Sequence, residues 1–75
     1  MTYRYGLPLF MAKKLHLIKE VLDKKDKSGY WLAKETEISY TSIHGYINNR
    51  TEPSLTNLFR IAEALKVNPR DLINS

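Results

Sequence analysis

Residues 28–49 read SGYWLAKETEISYTSIHGYINN. Within this stretch Leu32 and Ala33 form an inward-facing pair, and Ile43, Tyr46 and Ile47 recur at the three-to-four-residue spacing of a helix with one buried side. Ser28 and Ser39 are residues of the type that caps helix N-termini, because a short hydroxyl accepts from a backbone N–H left free in the first turn. The spacing therefore predicts one short helix from Gly29 to about Glu35. A second is capped by Ser39 and runs to Asn48. Asn49 follows it and tolerates the left-handed conformation found just past helix ends. The second helix is unusual in chemistry. From Ile38 to Asn49 there is no Asp, Glu, Lys or Arg, although 27% of the chain is charged. Its outer face carries hydroxyls, amides and an imidazole, and at its centre stands Gly45, a poor helix former.

Outward from this stretch the pattern stays helical. Leu15, Ile18, Val21 and Leu22, widened by Leu17, predict an amphipathic helix over Ala12 to Lys25, which "DKSG" then breaks. Pro53 and Ser54 open a fourth helix on which Leu55, Leu58, Ile61, Ala62 and Leu65 repeat on one side. In "NPRDLI", Asn68 is a cap, Pro69 occupies a first helical position and Asp71 lies in the first turn, predicting a fifth. The expectation is an all-α domain of five short helices over residues 12–75. Residues 1–11 stand apart as an N-terminal arm. There Tyr3, Tyr5, Leu7 and Leu9 alternate as in a strand, Gly6 and Pro8 argue against one, and Met11 could itself be a start.

Composition excludes several classes. Seventy-five residues make one domain. With no cysteine there is neither a disulfide framework nor a thiolate metal site. No apolar run approaches the ~20 residues that span a bilayer, so a soluble, cytoplasmic protein without membrane contact is expected. The net charge of +4, from 12 basic and 8 acidic residues, mildly favours polyanionic partners. His16 and His44 are the only imidazoles, and neither has an acid–base partner at a fixed spacing. Glycine-rich phosphate loops, nucleophile elbows and paired carboxylates are absent. We expect no catalytic residues, no metal site and no cofactor.

Two short helices joined by a turn of three or four residues make a helix-turn-helix, whose second helix lies in the DNA major groove. Here the sequence resembles the Cro/lambda-repressor-like (XRE) helix-turn-helix proteins. The resemblance is carried by "WLAKETEISYTSIHGYINNRTEPSLTNLFRIAEALKVNPRDLI": Leu32-Ala33 in the second helix, Ile43 and Tyr46 in the third, the loop "NNRTEPSL", and "IAEAL" in the fourth. It implies a lambda-repressor-like fold and double-stranded DNA as partner. The chain departs from the family pattern in three ways. Glu37 stands where the turn usually has Gly, and Gly29 where a Gln often donates to phosphate. Leu22 and Ile47 replace an Arg–Glu ion pair, suggesting a hydrophobic contact instead.

With Ile43, Tyr46 and Ile47 inward, the opposite face of the third helix centres on Thr41, Gly45 and Asn48, flanked by Ser42 and His44. Short donors and acceptors suit base edges, and phosphate contacts supply most of the affinity. Gly45 would let the helix backbone approach the groove. Tyr40, nearer the core side, would pack or stack. Ser39 caps the helix at its groove-facing end, and Asn49, Arg50 and Thr51 follow where the family often contacts phosphate. These ten residues are the expected DNA-binding set, in a transcriptional regulator acting as a repressor at the nucleoid. A homodimer, weak or formed only on DNA, would use the N-terminal arm or the Leu72-Ile73 region. Two alternatives stay open: the antitoxin of a toxin–antitoxin pair, with the toxin as protein partner, and a helical interaction module without DNA binding.

Overall fold

Three of the four described α-helices begin where a serine side chain satisfies one of the first free amides. In the computed structural model, which describes residues 16–73, α1 spans Ile18–Lys24, α2 Gly29–Thr36, α3 Tyr40–Ile47 and α4 Leu55–Leu65. The hydroxyls of Ser28, Ser39 and Ser54 accept from the backbone N–H of Trp31, Ser42 and Asn57 respectively. The expected start of α1 at Ala12 lies outside the described residues. Its described part begins at Ile18, with Leu17 in the cap position and no side-chain cap.

The fifth expected helix is a correction. Residues Pro69–Leu72 form one 3₁₀ turn, so the described chain has four α-helices. Asn68 and Asp71 cap each other's backbone and Pro69 sets the entry. The chain cannot continue as a helix, because Ile73 turns extended and bridges antiparallel to His16. The Leu17 N–H donates to the Leu72 carbonyl at 2.8 Å. This clasp joins the two ends of the described chain.

The core is the apolar face of every helix folded onto one centre. Ile18, Leu22, Leu32, Ile43, Tyr46, Leu58, Ile61, Ala62, Leu65 and Leu72 are buried, with Ile38 from the α2–α3 turn. Leu55 does not join them and is 68% exposed. As the first helical residue of α4 its side chain leans back over the preceding turn, where no core residue meets it. Buried Thr36 is satisfied locally: its hydroxyl donates to the Leu32 carbonyl and accepts from the Ile38 N–H. That bond pins the turn between α2 and α3. Glu37 there adopts φ 61°, ψ 21°, the left-handed conformation expected of a glycine position. Asp26, Asn49 and Lys66 do the same after the other three helices.

Candidate nucleic-acid interface

α3 is held against the body of the protein from two sides. Ile43 and Tyr46 are buried beneath it, and the Asn57 amide of α4 donates to the Tyr46 hydroxyl at 3.2 Å. Ile47 reaches α2: a side-chain carbon on Gly29 would lie 2.7 Å from its Cδ1. Gly29 thus leaves room for the end of the Ile47 side chain where α2 and α3 cross, a packing use for the residue that departs from the family pattern here.

The outer face of α3 presents Tyr40, Thr41, His44 and Asn48 exposed, with Ser42 and Gly45 half-buried. Ser39 is exposed, and its hydroxyl lies 3.0 Å from that of Ser42. Thr41, Ser42, His44 and Gly45 line one open depression with Arg50 and Thr51, so the loop after α3 completes the surface that the helix begins. Asn49 takes φ 56° and is half-buried. It shapes that loop, and its amide oxygen faces inward rather than toward a ligand.

Three features of this surface differ from the sequence reading or go beyond it. The space over Gly45 is filled: a Cβ there would lie 2.7 Å from the Thr51 hydroxyl oxygen, and the Arg50 N–H donates to the Gly45 carbonyl at 2.9 Å. Gly45 thus seats the returning loop, and the gap on the helical wheel is closed by Thr51. Next, the Asn48 amide turns back to the His44 carbonyl at 3.0 Å and lies 3.2 Å from the His44 ring nitrogens. One of its donors is occupied within the helix. Finally, Tyr40 stacks on Tyr30, with ring centroids 4.2 Å apart and planes within 4°, and its other neighbour is the His44 ring at 5.7 Å. Tyr30 was missed from sequence. The signal was present as two tyrosines at the starts of adjacent helices, but helical periodicity describes one helix at a time.

His16, for which the sequence offered no acid–base partner at a fixed spacing, is buried, with Nε2 3.3 Å from the Thr51 backbone carbonyl. A carbonyl can only accept, so Nε2 carries the proton. Trp31 is half-buried with the Lys27 ammonium 4.9 Å over its ring. Among the described residues no group of three or more His, Cys, Asp or Glu could hold a metal ion, and no helix is long and apolar enough to cross a membrane.

Comparison with known proteins agrees with this geometry. No curated protein matches the chain. A solved structure of a candidate DNA-binding protein from Bacteroides fragilis is similar at 42% identity and a TM-score of 0.76, covering 80% of this chain and 97% of that one. The restriction-modification controller protein C.AhdI from Aeromonas hydrophila is similar at 26% identity and a TM-score of 0.68, covering 72% of this chain and 82% of that one. The helix-turn-helix family profile matches residues 18–72, from the first residue of α1 to the last of the 3₁₀ turn. With α2 and α3 forming the motif itself, the chain belongs to the helix-turn-helix family of XRE type and is a DNA-binding regulator of transcription.

Proposed function

We propose that the chain reads a specific duplex sequence with α3 in the major groove and acts as a repressor by occupying its site. The observation that carries this is an uncharged, hydrogen-bonding α3 face that continues into Arg50 and Thr51 on one open surface. Thr41, Ser42, His44 and Asn48 are the base-facing residues, and Ser39, Tyr40, Asn49, Arg50 and Thr51 border the backbone. Gly45 acts through the fold of the loop. This is binding chemistry, with no role for catalysis, and a DNA-bound protein resides with the chromosome.

Specificity from one such motif requires two copies on half-sites about 34 Å apart, so we infer a homodimer. The expectation placed it on the N-terminal arm, outside the described residues, or on Leu72-Ile73. Leu72 is fully buried and unavailable. The exposed apolar side chains that remain are Ile73 and, one turn apart on α4, Leu55 and Phe59. A toxin partner would need a surface of its own, and no feature of the described residues favours one.

The test is titration on a preferred duplex, selected from a random pool, and on random duplex at several salt concentrations. Asn48→Ala should lose about 1–3 kcal/mol on the preferred duplex and much less on random DNA. Arg50→Ala should weaken both alike and lower the salt slope by about 1. If Asn48→Ala and Thr41→Ala both keep wild-type discrimination, α3 is not the reader and the interaction-module alternative takes its place.

A further inference from the structure

Tyr30 is the second residue of α2 and is 66% exposed, yet its ring is not free to wander. It lies face to face with Tyr40, the first residue of α3. Tyr40 is itself confined, with the His44 ring on one side and Gly29 beneath, where even a methyl would come within 3.6 Å of its Cε1. The stack thus holds the Tyr30 ring in a set position relative to the base-facing helix. Among the described residues neither phenol hydroxyl has a hydrogen-bond partner. The stack leaves an exposed tyrosine, with a hydroxyl that can donate, beside the first turn of the base-facing helix.

In helix-turn-helix docking the first helix of the pair crosses the phosphate backbone while the second enters the groove. Tyrosine hydroxyls are among the groups that donate to phosphate oxygens, contacts that set orientation without reading sequence. We propose that Tyr30 donates its hydroxyl to a backbone phosphate at the edge of the groove that α3 enters, with the Tyr40 stack holding it in register. This rests on the DNA-binding reading of α3. A neutral donor displaces no condensed counterion, so its contribution differs from that of Arg50 in salt dependence.

Tyr30→Phe keeps the ring and removes only the hydroxyl. It should weaken binding about three- to tenfold, the scale of one neutral hydrogen bond. The loss should be equal on preferred and random duplex, with an unchanged salt slope and unfolding midpoint. In a Tyr40→Ala background, where the stack is gone, the same substitution should cost less. Wild-type affinity of Tyr30→Phe on both duplexes would overturn the proposal and leave the stack as a packing device between helices. A loss confined to the preferred duplex would also overturn it, because the hydroxyl would then be reading a base. Equal effects with and without Tyr40 would overturn the role of the stack. Arg50→Ala, measured in parallel, separates the two levels: if wild type binds neither duplex, the DNA-binding reading falls, whereas if Arg50→Ala weakens binding and Tyr30→Phe does not, Tyr30 alone is removed.

Discussion

Glu37 shows how one residue can carry strain for the whole motif. Its left-handed φ of 61° places the turn between α2 and α3. A side chain in that conformation costs about 1–2 kcal/mol, and glycine would relieve it while adding about 0.4–1 kcal/mol of unfolded-state freedom. The difference favours Glu37→Gly by about 0.5–1 kcal/mol, readable as a higher urea midpoint with an unchanged m-value. Lys66, at φ 58° after α4, should respond in the same direction, and because the two residues end different helices the gains should add. Destabilisation by either glycine would mean that the side chain makes a contact worth more than the strain.

At the scale of elements, glycine is used here for close approach. Both described glycines are helical, and each makes room for a neighbour at 2.7 Å: Ile47 at Gly29 and Thr51 at Gly45. Gly45→Ala brings about 1 kcal/mol of helix propensity against a clash with a β-branched side chain that is stiff at χ1. The net change alone should be small or unfavourable. With Thr51→Ala the nearest remaining side-chain atom lies at 3.8 Å, ordinary contact, so the propensity gain of about 1 kcal/mol should appear in full. A double-mutant cycle in thermal unfolding measures this, and additive effects would show that Thr51 does not confine Gly45. Gly29→Ala meets only the end of a longer side chain: the atom at 2.7 Å is the Cδ1 of half-buried Ile47, which a turn about its own χ2 moves aside, so stability should stay within about 1 kcal/mol of wild type.

Across the whole molecule, the ends of the described chain bear on stability, and the exposed face of α4 bears on the proposed dimer. Leu72 is fully buried although it lies in a single 3₁₀ turn, and its carbonyl holds Leu17. Leu72→Ala should cost about 2–5 kcal/mol, a large part of the roughly 4–11 kcal/mol available to a domain of this size. The unfolding midpoint should fall by about 10 °C or more, and a drop of only a degree or two would show that the clasp contributes little. Phe59, at 52% exposure, is the opposite case. Phe59→Glu should leave the unfolding midpoint near wild type and shift sedimentation toward the monomer, both free and on a duplex with two half-sites. An unchanged distribution would move the dimer surface away from α4.

Sequence alone determined the helix-turn-helix. Three serine caps, the Asn68–Asp71 capping pair and the inward faces of α2, α3 and most of α4 are local signals, each set by a hydrogen bond or a repeat within a few residues. The special position of Glu37 was legible only through the family resemblance, which puts Gly at that point of the turn. The tertiary structure decided what depended on distant partners. Thr51 returns over Gly45, and Ile47 crosses at Gly29. Tyr30 meets Tyr40, and His16 finds the Thr51 carbonyl across 35 positions of sequence. Leu55 is left outside the core, and the last segment closes as a 3₁₀ turn against Leu17. Periodicity states which way a side chain faces from its own helix axis. What stands in front of that side chain is set only when the helices pack.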